Sequence, residues 1–416
     1  MSNVDRAHRT EPRPPPPPPK PKPHHETKKA EAHVSPKKAT AEVQHAARAR
    51  FAHHAAPTRA EVKHKSDEAA RAINQAAVKI GTSRDDASKR ASTLKAAHTL
   101  AQQLQGATPS ERAQILSKTG PAVSAIGAGL DKLDRDQTQK AVGDLASATE
   151  AAGPHLARQI TDTVALALPH ELAGNHENQS ELSDGISNAV KSGKGALFAT
   201  SLAQSARAVP PLVDSGAAKD LDGTAQKAIG DAQKTFDDAN KKAALLDGRL
   251  AVAVDQWKKS GALTPGAIDA GVKAFKAAHK DDYAAADNAA RTLATTLPGA
   301  GLAAREPGAL GDASRAALKD LPQIASRDAG ANVIAGALEH QAPYLDESKR
   351  LLGEGPNAKA NLAGFDNAIL RSVAVGGPDL VKHGERDRVA NLVAGAAHAV
   401  SDKKLAQSLQ EYHDKI

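Results

Sequence analysis

The chain contains no cysteine, and this absence excludes several classes of site. None of its 416 residues offers a thiol for a disulfide, a thiolate zinc ligand or a cysteine nucleophile. No apolar run approaches the 18 residues from which a membrane-spanning helix is recognised, so we expect no transmembrane segment. The first thirty residues also lack the apolar core of a secretory signal peptide. An exported form of this protein would therefore use a non-Sec route.

Large side chains are scarce as well. Aromatic residues make up 2% of the chain, whereas 88 residues are alanine. Alanine is the strongest helix former but buries little area, and burial stabilises by roughly 25 cal/mol per Å². We therefore expect an all-α protein, made of alanine-rich multi-helix domains with thin cores between closely spaced helices.

Positive charge is concentrated in residues 1–65, which hold 14 Lys and Arg against 6 Asp and Glu. Because the whole chain carries +7, the remaining residues are close to neutral. This segment also holds 11 of the 24 prolines and few large apolar side chains. Such a composition cannot offset the entropy lost on ordering. We interpret residues 1–65 as a disordered basic, proline-rich tail.

The proline run in this tail predicts a polyproline II segment with two possible roles. It can serve as a semi-rigid spacer or as a ligand for a domain that reads proline-rich peptides. The candidate partner-binding residues of the tail are Arg13, Pro16, Pro19, Lys20 and Lys22. A weak, salt-sensitive anionic partner is a further possibility, because lysine and arginine can neutralise phosphates.

A helical domain is predicted over residues 66–215. The stretch GATPSERAQIL contains a helix start, with Thr108 as N-cap, Pro109 at the first helical position and Glu111 completing a capping box. Proline followed closely by an apolar residue recurs along the chain, and we interpret it as a helix opener, for example at Pro121 and Pro378.

The most regular pattern predicts a long helical hairpin over residues 217–297. Apolar residues there alternate steps of three and four, as in the seam of a coiled coil. The predicted packing seam contains Ile229, Phe236, Leu246, Leu250 and Trp257. A break with Thr264 as cap and Pro265 at the next helix start indicates a short turn, so the two helices should pack antiparallel. If the second helix leaves part of the seam uncovered, a homo-oligomer would follow.

Glycine and proline in LPGAGLAAREPGALGD predict a linker over residues 298–312. A C-terminal helical domain, residues 313–416, is expected after it.

Motifs of catalytic chemistry are weak in this sequence. HELAGNHE, residues 170–177, has its histidines six apart, whereas a zinc protease needs them four apart on one helical face. Histidines in the tail lack a preorganised geometry for a metal. We therefore assign no catalytic, cofactor-binding or metal-binding residue, and we expect no cofactor.

Three functions fit these features. The first, which we favour, is a non-enzymatic helical interaction module of an exported bacterial effector or toxin-associated protein, whose tail serves in secretion or surface engagement. The second is a nucleic-acid-associated or nucleoid-associated protein that binds through the basic tail. The third is a helical hydrolase of the cell wall without a local motif.

Overall fold

A computed structural model of the chain describes residues 59–168, 176–191, 193 and 195–416, and these form one compact unit. Every regular element in these ranges is a helix, as the composition predicts. The predicted end of the disordered tail at residue 65 is wrong, because a helix already begins at Arg59. The eighteen α-helices are α1 Arg59–Thr82, α2 Asp86–Gln105, α3 Pro109–Gly129, α4 Arg135–Ala152, α5 Ala157–Ala167, α6 His176–Lys191, α7 Ala196–Arg207, α8 Pro210–Asp214, α9 Ala217–Ser260, α10 Pro265–Ala278, α11 Lys280–Ala303, α12 Ala309–Lys319, α13 Leu321–Ala325, α14 Asp328–Glu339, α15 Tyr344–Leu352, α16 Ala358–Lys382, α17 Arg386–Ala399 and α18 Lys403–His413.

The first seven helices stack in two rows. Helix α1 packs on α3, α3 on α5 and α5 on α7, while α2 packs on α4 and α4 on α6. Helix α7 then lies against both α9 and α11, and the C-terminal helices build outward from α11 through α12 and α14. One hydrophobic cluster runs through these layers, with Phe198, Phe236 and Phe365 as its largest fully buried side chains.

The predicted start of α3 is confirmed in detail. The side chain of Thr108 accepts a hydrogen bond from the Glu111 amide, and the Glu111 carboxylate accepts one from the Thr108 amide at 2.7 Å. The prediction that proline opens a helix is wrong at Pro121 and Pro378, which lie inside α3 and α16. Each removes only one backbone hydrogen bond from a long helix whose other contacts hold it in place.

Two boundaries of the predicted hairpin and linker differ from the structure. The second arm of the hairpin, predicted as one helix, divides at His279 into α10 and α11. The alternation of three-residue and four-residue steps between apolar positions is interrupted at this residue. The break between the two helices occurs at the same place. The linker predicted over residues 298–312 is also wrong in extent, because α11 continues through Pro298 to Ala303 and α12 begins at Ala309.

Glycines in the mispredicted part of the linker serve close packing. A Cβ atom on Gly299 would lie 2.8 Å from the carbonyl oxygen of Ala196 in α7. A Cβ on Gly301 would lie 2.5 Å from the Cβ of Tyr344. The absence of a side chain thus lets α11 approach its neighbours, and these glycines mark contact points inside a helix.

Candidate interaction surface on the projecting hairpin

Helix α9 extends beyond the core that it helps to build. Its 44 residues span about 66 Å at 1.5 Å per residue. Side chains of α9 are buried at intervals from Ala217 as far as Leu250. None of the residues from 251 to 279 is buried, and we call this segment, which comprises the end of α9, the turn and α10, the distal hairpin.

The predicted seam is buried at its base and half-exposed at its end. Ile229 and Phe236 are fully buried, and Leu246 and Leu250 are nearly so. Trp257 lies within the distal hairpin and is only partly buried. The base of α9 packs along α11, while its end contacts the short α10. Only the part of the seam beside α11 therefore belongs to the core.

A small apolar contact joins the two helices of the distal hairpin. A Cβ on Gly271 of α10 would lie 2.9 Å from the indole ring of Trp257, so the tryptophan packs directly over the glycine backbone. Partly buried apolar side chains of α10 line the same side, namely Ile268, Val272 and Phe275. Two helices alone cannot enclose such a stripe, which leaves apolar surface accessible.

A polar cluster fixes the hairpin where it leaves the body. Arg327, in the turn before α14, donates to Asn240 Oδ1 of α9 at 2.8 and 3.0 Å. The Tyr283 hydroxyl of α11 donates to Asp247 of α9 at 2.8 Å. Arg327 also lies 3.7 Å from Asp247, so its guanidinium contacts two residues of α9, and Asp247 in turn links α9 to α11 through Tyr283. Burial of the Tyr283 hydroxyl and its hydrogen bond to Asp247 raise the pKa of Tyr283 to about 12. We call Asn240, Asp247, Tyr283 and Arg327 the base cluster.

Sequence reasoning missed the base cluster. Arg327 is 87 residues from Asn240 in the chain, and the linear pattern around either residue contains no signal for the contact.

Replacing Arg327 with alanine should loosen the hairpin and lower the free energy of unfolding by about 1–2 kcal/mol, because Asn240 loses its charged donor. Spin labels on Ser260→Cys and Lys319→Cys can report the hairpin's position by electron–electron distance measurement, since the chain has no other cysteine. We expect a broader distance distribution in Arg327→Ala.

The control for this experiment is Arg371→Ala, which removes an exposed ion pair with Asp328 and should leave the distribution unchanged. An unchanged distribution in Arg327→Ala would show that the base cluster does not hold the hairpin.

The hairpin also concentrates positive charge. Residues 241–280 contain eight Lys and Arg against three Asp and Glu, although residues 66–416 together are close to neutral. All eight of these basic side chains are exposed. The base of the hairpin carries negative charge instead, because Asp231, Asp237 and Asp238 precede this region on α9. The outer half of the hairpin is therefore a basic projection from a body of opposite net charge.

Chemistry elsewhere in the described ranges is sparse. No group of three or more His, Cys, Asp or Glu side chains that could hold a metal ion occurs there, and no described helix is long and apolar enough to cross a membrane. The carboxyl group with the most strongly shifted pKa is that of Glu150. Desolvation beside the start of α7 raises its pKa to about 8. It receives one hydrogen bond, from the Leu197 amide at 3.4 Å. One isolated carboxyl group makes no acid–base pair.

The predicted tail residues Arg13, Pro16, Pro19, Lys20 and Lys22 lie outside the described residues, as does the HELAGN part of the HELAGNHE stretch. Their predicted roles stay predictions.

Comparison with known proteins gives little guidance. No family model matches the sequence, and no curated protein matches it. One solved structure that is similar, a circular tandem repeat protein with novel repeat topology and enhanced subunit contact surfaces, is 13% identical over 85% of this chain and 95% of its own. Its TM-score is 0.23, and a likeness at that level supports no argument about function.

Proposed function

We propose that this protein is a non-enzymatic helical interaction module that presents the distal hairpin to a protein partner. The observation that carries the proposal is the distal hairpin itself: 29 residues, 251–279, of which none is buried. Ordering a helical residue costs about 1–2 kcal/mol of backbone entropy, and burial normally offsets that cost. Helices whose residues are at most partly buried in their own fold are suited to bury surface against another molecule.

The position of the hairpin supports this reading. Its base is held by the buried seam and by the base cluster, which would transmit a fixed orientation to the tip. The turn presents Leu263 at 40% exposure, close to the basic pair Lys258 and Lys259. A hairpin with a fixed base and an exposed tip of apolar and basic side chains is suited to contact a partner protein.

Site-specific photo-crosslinking tests the proposed function. A photoreactive amino acid placed at Leu263 should give a discrete adduct with another protein in the cells that produce or receive this protein. The same group at Val78, which is 62% exposed on α1, should not give that adduct. Identical adducts from both positions, or none from Leu263, would contradict a role for the hairpin.

We further propose that the protein is an exported bacterial effector or toxin-associated protein, and that residues 1–65 engage the export machinery or an anionic surface. The concentration of positive charge in that segment supports the proposal. Fractionation of producing cells, comparing the full chain with a variant lacking residues 1–58, which leaves α1 complete, tests it. Export that requires the segment supports the proposal, and retention of both forms inside the cell contradicts it.

A further inference from the structure

One face of α9 carries a row of residues that lies beside α6 at its base and is open beyond. The row follows heptad steps through Ala228, Asp231, Thr235, Asp238, Lys242, Leu245, Arg249, Val252, Gln256 and Lys259. At its start, Ala228, Asp231 and Thr235 lie beside the end of α6, where they line a cleft of about 260 Å³ with Ser187 and Val190. Of these three residues only Ala228 is buried, whereas Asp231 and Thr235 are exposed, and α6 ends at Lys191.

The uncovered part of the row combines apolar and basic side chains. Leu245 and Val252, seven residues apart, are 66% and 58% exposed. Lys242, Arg249 and Lys259 alternate with them on the same face, since steps of three and four keep residues on one side of a helix. Leu245 and Arg249 directly precede the seam residues Leu246 and Leu250, so this face lies about 100° around the helix from the seam. We call residues 242, 245, 249, 252, 256 and 259 the basic stripe.

We propose that the basic stripe binds an acidic amphipathic helix of a partner protein. The inference rests on the proposed function and names the chemistry of its partner. A helix laid along the stripe would continue the position that α6 occupies at the base of α9. Leu245 and Val252 would then be covered by apolar side chains, and flanking Asp or Glu residues would meet the three basic side chains.

Charge argues against the stripe pairing with a second copy of this chain. In a two-fold antiparallel pairing centred on the stripe, Lys242 of each copy would face Lys259 of the other, and Arg249 would face Val252. Like charges facing each other destabilise such an interface. A nucleic acid would engage the lysines but leave the exposed Leu245 and Val252 against phosphates. An acidic helix satisfies both kinds of side chain.

The test uses the full chain and a fluorescent synthetic peptide of four heptads, with Leu at positions a and d and Glu at positions e and g. A second peptide, with Lys in place of every Glu, is the matched control. Fluorescence anisotropy should show that the protein binds the Glu peptide at least tenfold more tightly than the Lys peptide. We expect the affinity to fall as salt rises from about 50 to 300 mM.

Variants of the stripe identify the surface. Leu245→Ala/Val252→Ala and Lys242→Glu/Arg249→Glu/Lys259→Glu should each weaken binding of the Glu peptide at least tenfold. The control Val78→Ala/Val213→Ala removes two exposed aliphatic side chains elsewhere and should leave binding unchanged. Circular dichroism and thermal melts establish that each variant is folded.

The inference would be overturned by equal binding of both peptides, by stripe variants that bind like the original protein, or by preferential binding of single-stranded DNA or of phosphatidylserine vesicles by the stripe. A dimer in light scattering that dissociates in the stripe variants would also overturn it, in favour of a second copy. If crosslinking from Leu263 persists in variants that no longer bind the peptide, the proposed function stands and the acidic helix is wrong.

Discussion

Replacing Gly395 with alanine is expected to lower the free energy of unfolding by about 3 kcal/mol, because the new methyl group has no space. Gly395 lies in α17, where it faces α14. A Cβ atom there would lie 2.7 Å from the carbonyl carbon of Leu338 and would overlap the carbonyl oxygen. Both neighbours are backbone atoms, so the conflict can be relieved only by separating the two helices.

Gly336→Ala is the matched control for this substitution. Gly336 lies in α14 itself, and a Cβ atom on it would have no neighbour within 4 Å. Alanine is favoured over glycine by about 0.8–1 kcal/mol in a helix interior, so Gly336→Ala should raise the free energy of unfolding. Urea unfolding followed by circular dichroism measures both changes. Equal effects at the two positions would show that α14 and α17 are not packed as closely as described.

The same pair of glycines shows what the sequence could predict. Alanine content and helical spacing identified the all-α class, and the capping box placed the start of α3 at Pro109. Both features depend on residues close together in the chain. Gly336 and Gly395 have similar alanine-rich surroundings in the sequence, and only the approach of α17 to Leu338 separates a neutral position from a critical one. Close approach between distant helices has no local signal.

The hairpin also has features that the sequence could predict and features that it could not. Heptad spacing identified Ile229, Phe236, Leu246 and Leu250, which are buried. It also placed Trp257 in the same seam, and spacing alone could not indicate that the body of the protein ends near Leu250. The basic stripe is equally regular in the sequence. The sequence does not indicate where α6 ends. The apolar and charged residues of the basic stripe therefore look like those of an ordinary solvated helix face.

The largest effect of pH is expected at Glu150. Its side chain leaves α4 and places the carboxyl group at the first turn of α7, where desolvation raises the pKa to about 8, although the hydrogen bond from the Leu197 amide acts in the opposite direction. Below the ordinary glutamate pKa of about 4.3, the folded and unfolded states both bind this proton, so Glu150 imposes no penalty. As the pH rises toward 8, the unfolded chain releases the proton and the folded chain retains it. Stability is therefore lost over this window and levels off above it.

Glu150→Gln should remove this dependence. The amide keeps an oxygen for the Leu197 N–H and carries no charge to desolvate. We expect the variant to match the original protein at pH 4 and to exceed its free energy of unfolding at pH 8.5 by roughly 2–4 kcal/mol, a value reduced from the full shift because the residue is partly exposed. Urea unfolding at pH 4, 6 and 8.5 measures the difference. Equal stability at pH 8.5 would show that the carboxylate is charged and compensated in the folded protein.

Glu347→Gln provides a control of opposite sign. Glu347 is buried in α15 and accepts hydrogen bonds from Arg350 at 2.6 Å and from Arg305 at 3.1 Å. The hydrogen bonds from Arg350, with those from Arg305 and the charge of both guanidinium groups, lower the pKa of Glu347 despite its burial. Its stabilising contribution is therefore present above the ordinary pKa and disappears as the pH falls through the lowered value. Glu347→Gln should be less stable than the original protein at pH 8.5, with the difference shrinking toward acid. Because Glu150→Gln differs most from the original protein at the same high pH but in the other direction, an artefact of buffer or net charge cannot produce both results.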